Sequence, residues 1–153
     1  MDFQYRAAAL EDLETLTRLR LEMRRERDGS FPEEPLREAT LDFYRRALAG
    51  GSHAAFLCER DGEAVGAAGL SFYEMPPTAG LLNGRMARFM NMYIRPAWRK
   101  QGAARGLLAF AVAWAAERGC SKVVLHSSPM GRGLYEHFGF EKVSDEYQYL
   151  TGR

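Results

Sequence analysis

Arg95-Pro-Ala-Trp-Arg-Lys-Gln-Gly-Ala-Ala-Arg105 is the most informative stretch of the chain, because a predicted strand ends in it and a predicted helix begins. The first N–H groups of a helix have no partner inside the helix, and they attract phosphate. Gly102 and the small residues after it let a ligand approach the main chain, and four basic side chains add positive charge. The stretch therefore predicts a pyrophosphate site. Taken alone, it also fits a strand-to-helix turn with solvated basic side chains.

Apolar periodicity on both sides of this stretch predicts the other elements. Leu13, Leu16 and Leu19 recur at helical spacing, and Asp61-Gly62 is the strongest short-range signal for a tight hairpin. In chain order we predict a strand over 3–6, helices over 10–27 and 36–50, strands over 53–60, 63–73 and 87–95, a helix over 101–118, a strand over 121–127, a short helix over 132–137 and terminal strands within 140–150. This order indicates an α/β (α+β) fold, with one mixed sheet covered by helices on both faces.

The composition excludes several classes of protein. The 153 residues, 46% of them hydrophobic, predict a single domain over residues 1–153. Because 21 basic residues nearly balance 20 acidic ones, neither nucleic acid nor a membrane surface is a predicted partner. Two cysteines are too few for a disulfide framework, and no apolar run has the length of a signal peptide or a membrane span. We therefore expect a soluble, cytoplasmic protein.

Two motifs, in this order, carry a resemblance to a known family. Arg99, Gly102 and Ala104 match the signature R/Q-x-x-G-x-G/A between a strand and a helix, and Gly133-Leu-Tyr-Glu-His-Phe-Gly-Phe140 follows about thirty residues later. In both respects the chain resembles the GNAT superfamily of N-acetyltransferases, and the order of its elements extends the resemblance over the whole chain from Phe3. The resemblance implies a mostly antiparallel sheet of six to seven strands, splayed between the strand before the signature helix and the strand after it.

The resemblance also implies acetyl-CoA as cosubstrate, with the pantetheine arm in the splay and the pyrophosphate on the signature. A backbone N–H of Met92 or Tyr93 would face the thioester oxygen and stabilise its negative charge as the amine attacks. The side chains of Met92 and Ile94 are expected to fill the core. The implied acetyl-CoA-binding residues are Met92, Tyr93, Ile94, Arg99, Lys100, Gln101, Gly102, Ala103, Ala104 and Arg105.

The resemblance assigns Tyr135 as the general acid that protonates the departing CoA thiolate, and a phenol of pKa about 10 suits that task. A packed aromatic is the alternative. The general base is left open, because the strand over 87–95 contains no glutamate. His126 has a suitable pKa range but could be structural, and Glu74 could act through water or simply be exposed. His53 and His137 are expected to be structural or exposed, and no metal is predicted.

The leading hypothesis is an acyltransferase that moves acetyl from acetyl-CoA directly to a primary amine. A non-catalytic acyl-CoA-binding sensor or interaction module is the alternative. A dinucleotide-dependent oxidoreductase is discounted, because no G-x-G-x-x-G follows an early strand. The acceptor is left open between a small-molecule amine and a protein or peptide amine. Pairing of two chains through the segment 147–150, which would give a homodimer, is also left open.

Overall fold

The computed structural model describes residues 2–143 and 145–152. Its strands are β1 (Gln4–Ala7), β2 (His53–Arg60), β3 (Glu63–Glu74), β4 (Arg85–Ile94) and β5 (Lys122–Val124). Its α-helices are α1 (Leu13–Asp28), α2 (Glu33–Gly50), α3 (Ala103–Glu117) and α4 (Arg132–Phe138). Short 3-10 turns lie at Leu10–Asp12 and Pro96–Trp98. The four predicted helices and the first five predicted strands are all present, and their ends shift by only a few residues.

The five strands of the described residues form one sheet in the order β1-β2-β3-β4-β5. The first four strands pair antiparallel, and β5 pairs parallel with β4. The predicted hairpin between β2 and β3 is confirmed, because Asp61 and Gly62 have φ values of 54° and 80°, as a tight two-residue turn requires. The mixed, mostly antiparallel sheet is therefore as expected.

The predicted number of six to seven strands is wrong, because the described residues form five. The segment predicted as terminal strands, 140–150, contains no strand in its described part. Most of its apolar side chains face solvent instead, with Tyr147 90% and Tyr149 88% exposed, although Phe140 packs against the core. Alternating apolar residues form a strand only when they pair with a neighbouring edge that accepts their hydrogen bonds, and no described strand pairs with this segment. Whether a second copy of the chain supplies one stays a prediction.

The helices bury apolar side chains on both faces of the sheet. On one face, Leu107 and Leu108 of α3 pack with Phe56 and Phe89, and all four are at most 2% exposed. On the other face, α1 and α2 cover a second cluster that contains Leu16, Leu19 and Leu57. The leucines that predicted α1 are thus its buried side.

His53 lies buried at the start of β2, only 3% exposed. Its Nδ1 lies 2.8 Å from the Ser71 hydroxyl, and its ring packs edge-on against Phe43 of α2. Burial, with a smaller contribution from the nearby charge of Arg20, lowers the pKa of His53 to about 4. Of the two roles expected for this histidine, structural or exposed, the structure supports the structural one.

The buried His53 should make the stability of the protein depend on pH. The unfolded chain protonates this histidine near its ordinary pKa of 6.5, whereas the folded chain resists protonation down to about pH 4. Its contribution to stability is therefore complete above pH 6.5 and is lost as the pH falls toward 4. Between pH 7 and pH 5, we expect the wild type to lose roughly 2 kcal/mol more unfolding free energy than His53→Gln does. Urea denaturation of both proteins at the two pH values measures this, and equal losses would contradict it.

Candidate active site

The pairing of β4 with β5 stops early and leaves one edge of β4 open. The parallel register contains only three pairs, of which Arg88 with Val124 is the last. β4 continues to Ile94, so over its second half no described strand pairs with the edge that faces β5. Main-chain N–H and C=O groups on that side are free to bind an extended ligand. This open edge lies where the family resemblance implies a splay.

A bulge interrupts β4 inside the open stretch. The register with β3 runs from Gly69 opposite Met90 to Ala67 opposite Tyr93, so two residues of β4 oppose one residue of β3. One of these two is Asn91, which has a positive φ of 60°. Bulges bend a strand and redirect its main-chain groups, and they are over-represented beside active sites. The strand is therefore most distorted where the thioester is expected to bind.

The side chains that follow the bulge belong to the core. Tyr93 and Ile94 are 7% and 6% exposed, and Met92 packs against the cluster under α3. The Tyr93 hydroxyl is directed at Glu22 of α1, 3.4 Å away. These three side chains stabilise the fold. If Met92, Tyr93 and Ile94 take part in the chemistry, they must do so through their main-chain groups.

The N-terminus of α3 is an uncapped helix end with room beside it. Gly102, the N-cap residue, has a φ of 91°. Among the described residues, no side chain caps the helix and no atom lies within 4 Å of the place where a Cβ would stand. The first α-helical hydrogen bond is donated by the Gly106 N–H to the Gly102 carbonyl, 3.1 Å away. The N–H groups of Ala103, Ala104 and Arg105 precede that bond and have no partner within the helix. This arrangement fits a pyrophosphate.

Two of the four basic side chains expected at this site are already occupied. Arg95 forms hydrogen bonds of 3.0 and 2.9 Å to Glu22. Arg99 holds Glu26 at 2.8 and 2.7 Å and also donates to the Ile94 carbonyl. Both side chains therefore connect α1 to the end of β4. In a phosphate site, Arg99 could then contribute only its main-chain groups.

The positive charge that remains at the helix start comes from Lys100 and Arg105. Both are exposed, and among the described residues neither forms an ion pair. Arg105 lies over the ring of Phe138, 5.7 Å from its centroid. The Gln101 side chain donates to the Ala97 carbonyl and so stiffens the turn. Lys100 also has a positive φ, 61°, which shows how sharply the chain turns before Gly102.

Tyr135 lies in α4 next to the open half of β4. Its ring is 9% exposed and meets Phe89 and Phe140 edge-on, with centroids 6.2 and 6.0 Å away. Burial raises the pKa of the phenol, and the positive charge of Arg27 partly opposes this effect. A phenol with a raised pKa is fully protonated at neutral pH, which is the state that a general acid needs.

A cleft of about 1170 Å³ beside β5 brings together Tyr135 and His126. His126 follows the end of β5, and its imidazole pairs with the Glu146 carboxylate, which Arg88 also approaches at 3.9 Å. The imidazole is largely exposed, so solvent can exchange protons with it. A histidine oriented by a carboxylate is the usual form of a general base.

Glu74, the other residue considered as a base, lies elsewhere. It is exposed at the end of β3 and stands opposite Arg85, the first residue of β4. Six residues of extended strand separate Arg85 from the bulge at Asn91, which is about 20 Å. The structure therefore brings Tyr135 and His126 to one cleft and leaves Glu74 outside it.

Two residues of the site were missed in the sequence. Asn91 carries a signal, because asparagine is uncommon inside strands and tolerates positive φ, both of which indicate a bulge. Glu146 carries no such signal, because it lies in a segment that was predicted as strand and reaches His126 only in the folded chain.

No group of three metal-ligating side chains occurs within the described residues. That the protein binds no metal stays a prediction. In the same part of the chain, no helix has the length and apolarity to cross a membrane.

Comparison with known proteins agrees with this geometry. The family model described as the acetyltransferase (GNAT) family matches residues 16–140, a span that includes most of α1, the bulge at Asn91, the start of α3 and Tyr135. An aminoglycoside N(6')-acetyltransferase type 1 of Stenotrophomonas maltophilia is 31% identical over 125 residues, which cover 75% of each chain.

Two further relatives extend the comparison. The uncharacterized N-acetyltransferase YjgM of Escherichia coli is 29% identical over 109 residues, and the match spans 69% of this chain and 62% of that protein's length. Among solved structures, a predicted acetyltransferase from Clostridium acetobutylicum with acetyl-CoA superposes with a TM-score of 0.86 at 28% identity. That superposition covers 98% of this chain and 96% of the other.

Proposed function

The chain belongs to the acetyltransferase (GNAT) family, and from this premise we propose that it is an acetyl-CoA-dependent N-acetyltransferase that acts on a primary amine. One observation carries the proposal: the open edge of β4 leads from the bulge at Asn91 to the uncapped helix start at Gly102, with Tyr135 beside it. This order of features along the chain suits an extended donor with a pyrophosphate at one end and a thioester at the other.

The donor would be held mainly by main-chain groups. The N–H groups of Ala103, Ala104 and Arg105 would bind the pyrophosphate, with Lys100 adding a positive charge at the turn. The open edge of β4 would pair with the amides of the pantetheine arm. Gly102 would keep the phosphate path free, because it has no side chain where the ligand passes. At Gly102, Ala103 and Ala104, the small size of the residue matters more than its chemistry.

The acetyl group would pass directly to the amine without a covalent enzyme intermediate. The amine nitrogen forms a bond to the thioester carbon and the C–S bond breaks, while the N–H of Met92 or Tyr93 stabilises the negative charge on the carbonyl oxygen. The nitrogen, now positively charged, loses a second proton to solvent and becomes the amide nitrogen. Tyr135 donates its proton to the departing sulfur and regains one from solvent. Cys58 is fully buried, and no step needs a cysteine.

For the proton that the ammonium must lose, we propose His126 rather than Glu74. His126 lies in the cleft that Tyr135 also lines, and Glu146 would stabilise the imidazolium that forms. Glu74 is about 20 Å along the strand from the bulge. The glutamate absent from β4 is then no obstacle to turnover.

Amine-dependent release of CoA thiol tests the proposal. The purified chain is mixed with acetyl-CoA and a panel of small amines and peptide N-termini, and free thiol is followed with a thiol reagent. A reaction without amine corrects for thioester hydrolysis and for the partly buried Cys120. We expect saturable release with at least one amine. Tight binding of acetyl-CoA with no amine-dependent release would favour a non-catalytic acyl-CoA sensor instead.

A further inference from the structure

The first helix carries its charges on two different flanks. Glu22 and Glu26 lie on one flank, where they pair with the arginines at the end of β4. Arg20, Arg24 and Arg27 follow each other by four and three residues, so they share the other flank. We call these three residues the arginine face of α1. The glutamates of the first flank have partners within the fold. The role of the arginine face is not explained by such pairing.

Arg20 begins the arginine face directly at the bulge of β4. Its guanidinium donates to the side-chain oxygen of Asn91, and the phenol of Tyr44 lies next to both. Arg20 is only partly exposed, yet in the part of the chain that the structure describes it has no carboxylate partner. An arginine withdrawn from water is normally paired with an anion, because the desolvation of its charge is costly. The hydrogen bond to Asn91 does not explain why this residue is charged, since a neutral side chain with an amide N–H could donate the same bond.

The face continues from the bulge toward the predicted general acid. Arg27 is exposed, forms no ion pair among the described residues, and lies near enough for its charge to act on the Tyr135 phenol. Arg24 pairs with Asp28. Burial lowers the pKa of Arg20; Tyr44 opposes this effect, and the charges of Arg24 and Arg27 add to it. Among the described residues, these three guanidinium groups thus share a single carboxylate partner, Asp28.

We infer that the acceptor is a small amine that also carries a carboxylate or a phosphate, with the arginine face of α1 binding that anion while the amine is directed at the bulge. The inference rests on the proposed function and adds a substrate class to it. Arg20 would bind the anion and Arg27 would add long-range attraction. It also separates this chain from its S. maltophilia relative, because aminoglycosides are polycations and the arginine face would repel them.

Matched pairs of amines test the inference at saturating acetyl-CoA. Glucosamine 6-phosphate is compared with glucosamine, and free amino acids are compared with their amides, so that the phosphate and carboxylate arms are read separately. Kanamycin supplies the polycation. We expect kcat/KM to be at least about tenfold higher for the anionic member of one pair than for its neutral partner, and lowest for kanamycin.

Variants then locate the effect. Arg20→Gln keeps an amide donor for Asn91 and should raise KM for the preferred anionic amine about 10- to 100-fold, with kcat and the KM of the neutral partner nearly unchanged. Arg45→Gln removes the same charge from an exposed site on α2 that forms no ion pair with any described residue, and it should change neither kcat nor the KM of either amine. Inorganic phosphate should compete with a neutral amine in the wild type, and more weakly in Arg20→Gln.

Failure of this inference can be distinguished from failure of the proposed function. Equal kcat/KM for anionic and neutral amines, a preference for kanamycin, or equal losses for both amines in Arg20→Gln would overturn the inference and leave the N-acetyltransferase proposal standing. Absence of thiol release with every amine, together with intact acetyl-CoA binding, would overturn both.

Discussion

Tyr135→Phe is expected to lower kcat by about 100-fold or more while the Kd for acetyl-CoA stays nearly unchanged. The phenol would supply the proton that the CoA thiolate needs, and phenylalanine cannot. The ring itself stays, so the edge-on contacts with Phe89 and Phe140 persist and α4 keeps its place. The measurement is the steady-state rate of thiol release with the best amine, together with a titration of acetyl-CoA binding.

Tyr5→Phe is the matched control for this result. Burial also raises the pKa of the Tyr5 phenol, but its hydroxyl packs against Gly106 of α3, outside the cleft. The Tyr5→Phe variant should therefore have the kcat of the wild type. If Tyr135→Phe turned over as fast as the wild type, Tyr135 would be a packed aromatic and the acid would have to be solvent or another group. If its acetyl-CoA binding fell as much as its kcat, the tyrosine would be a ligand contact instead.

The second large effect concerns the helix start. Gly102→Asn should weaken acetyl-CoA binding on the order of a hundredfold, because a side chain there would stand where the phosphates approach the N–H groups of α3. Asparagine tolerates positive φ better than other residues with a side chain, so the variant should still fold. Isothermal titration with acetyl-CoA gives the affinity, and thermal unfolding checks the fold.

Gly51→Asn separates the blocked site from the strained backbone. Gly51 ends α2 with φ and ψ of 80° and 7°, close to the 91° and −2° of Gly102, and it too has open space around it. Both variants therefore have similar backbone strain, and only one lies at the proposed phosphate site. Equal affinities for acetyl-CoA in the two variants would place the pyrophosphate away from the start of α3.

The proposed catalytic groups come from widely separated parts of the chain, and each could be predicted to a different degree. Tyr135 is found by the resemblance of its motif, and in the structure its ring packs against Phe89 of β4. His126 is only one candidate in the sequence. It becomes the better one because Glu146 pairs with it and because Glu74 lies at the far end of β3.

The arginine contacts show a different limit of sequence reasoning. The sequence shows that Arg95 and Arg99 flank the signature, and charge density there is a fair reason to assign them to phosphate. The fold instead pairs them with Glu22 and Glu26, which lie 73 residues earlier in the chain. No local pattern encodes such a pairing, because it depends on how α1 crosses the end of β4.

The sequence by itself determined the local features of this protein: the leucine side of α1, the turn at Asp61-Gly62, the uncapped start of α3 at Gly102 and the family to which these belong. Each depends on the conformations and bonding of neighbouring residues, which a short pattern records. Only the tertiary structure decided that the segment 140–150 is not strand in its described part, that His53 is buried, and that the arginine face of α1 lies along the bulge at Asn91. These features require surfaces from distant parts of the chain to meet, and their energies arise from desolvation and pairing across that contact.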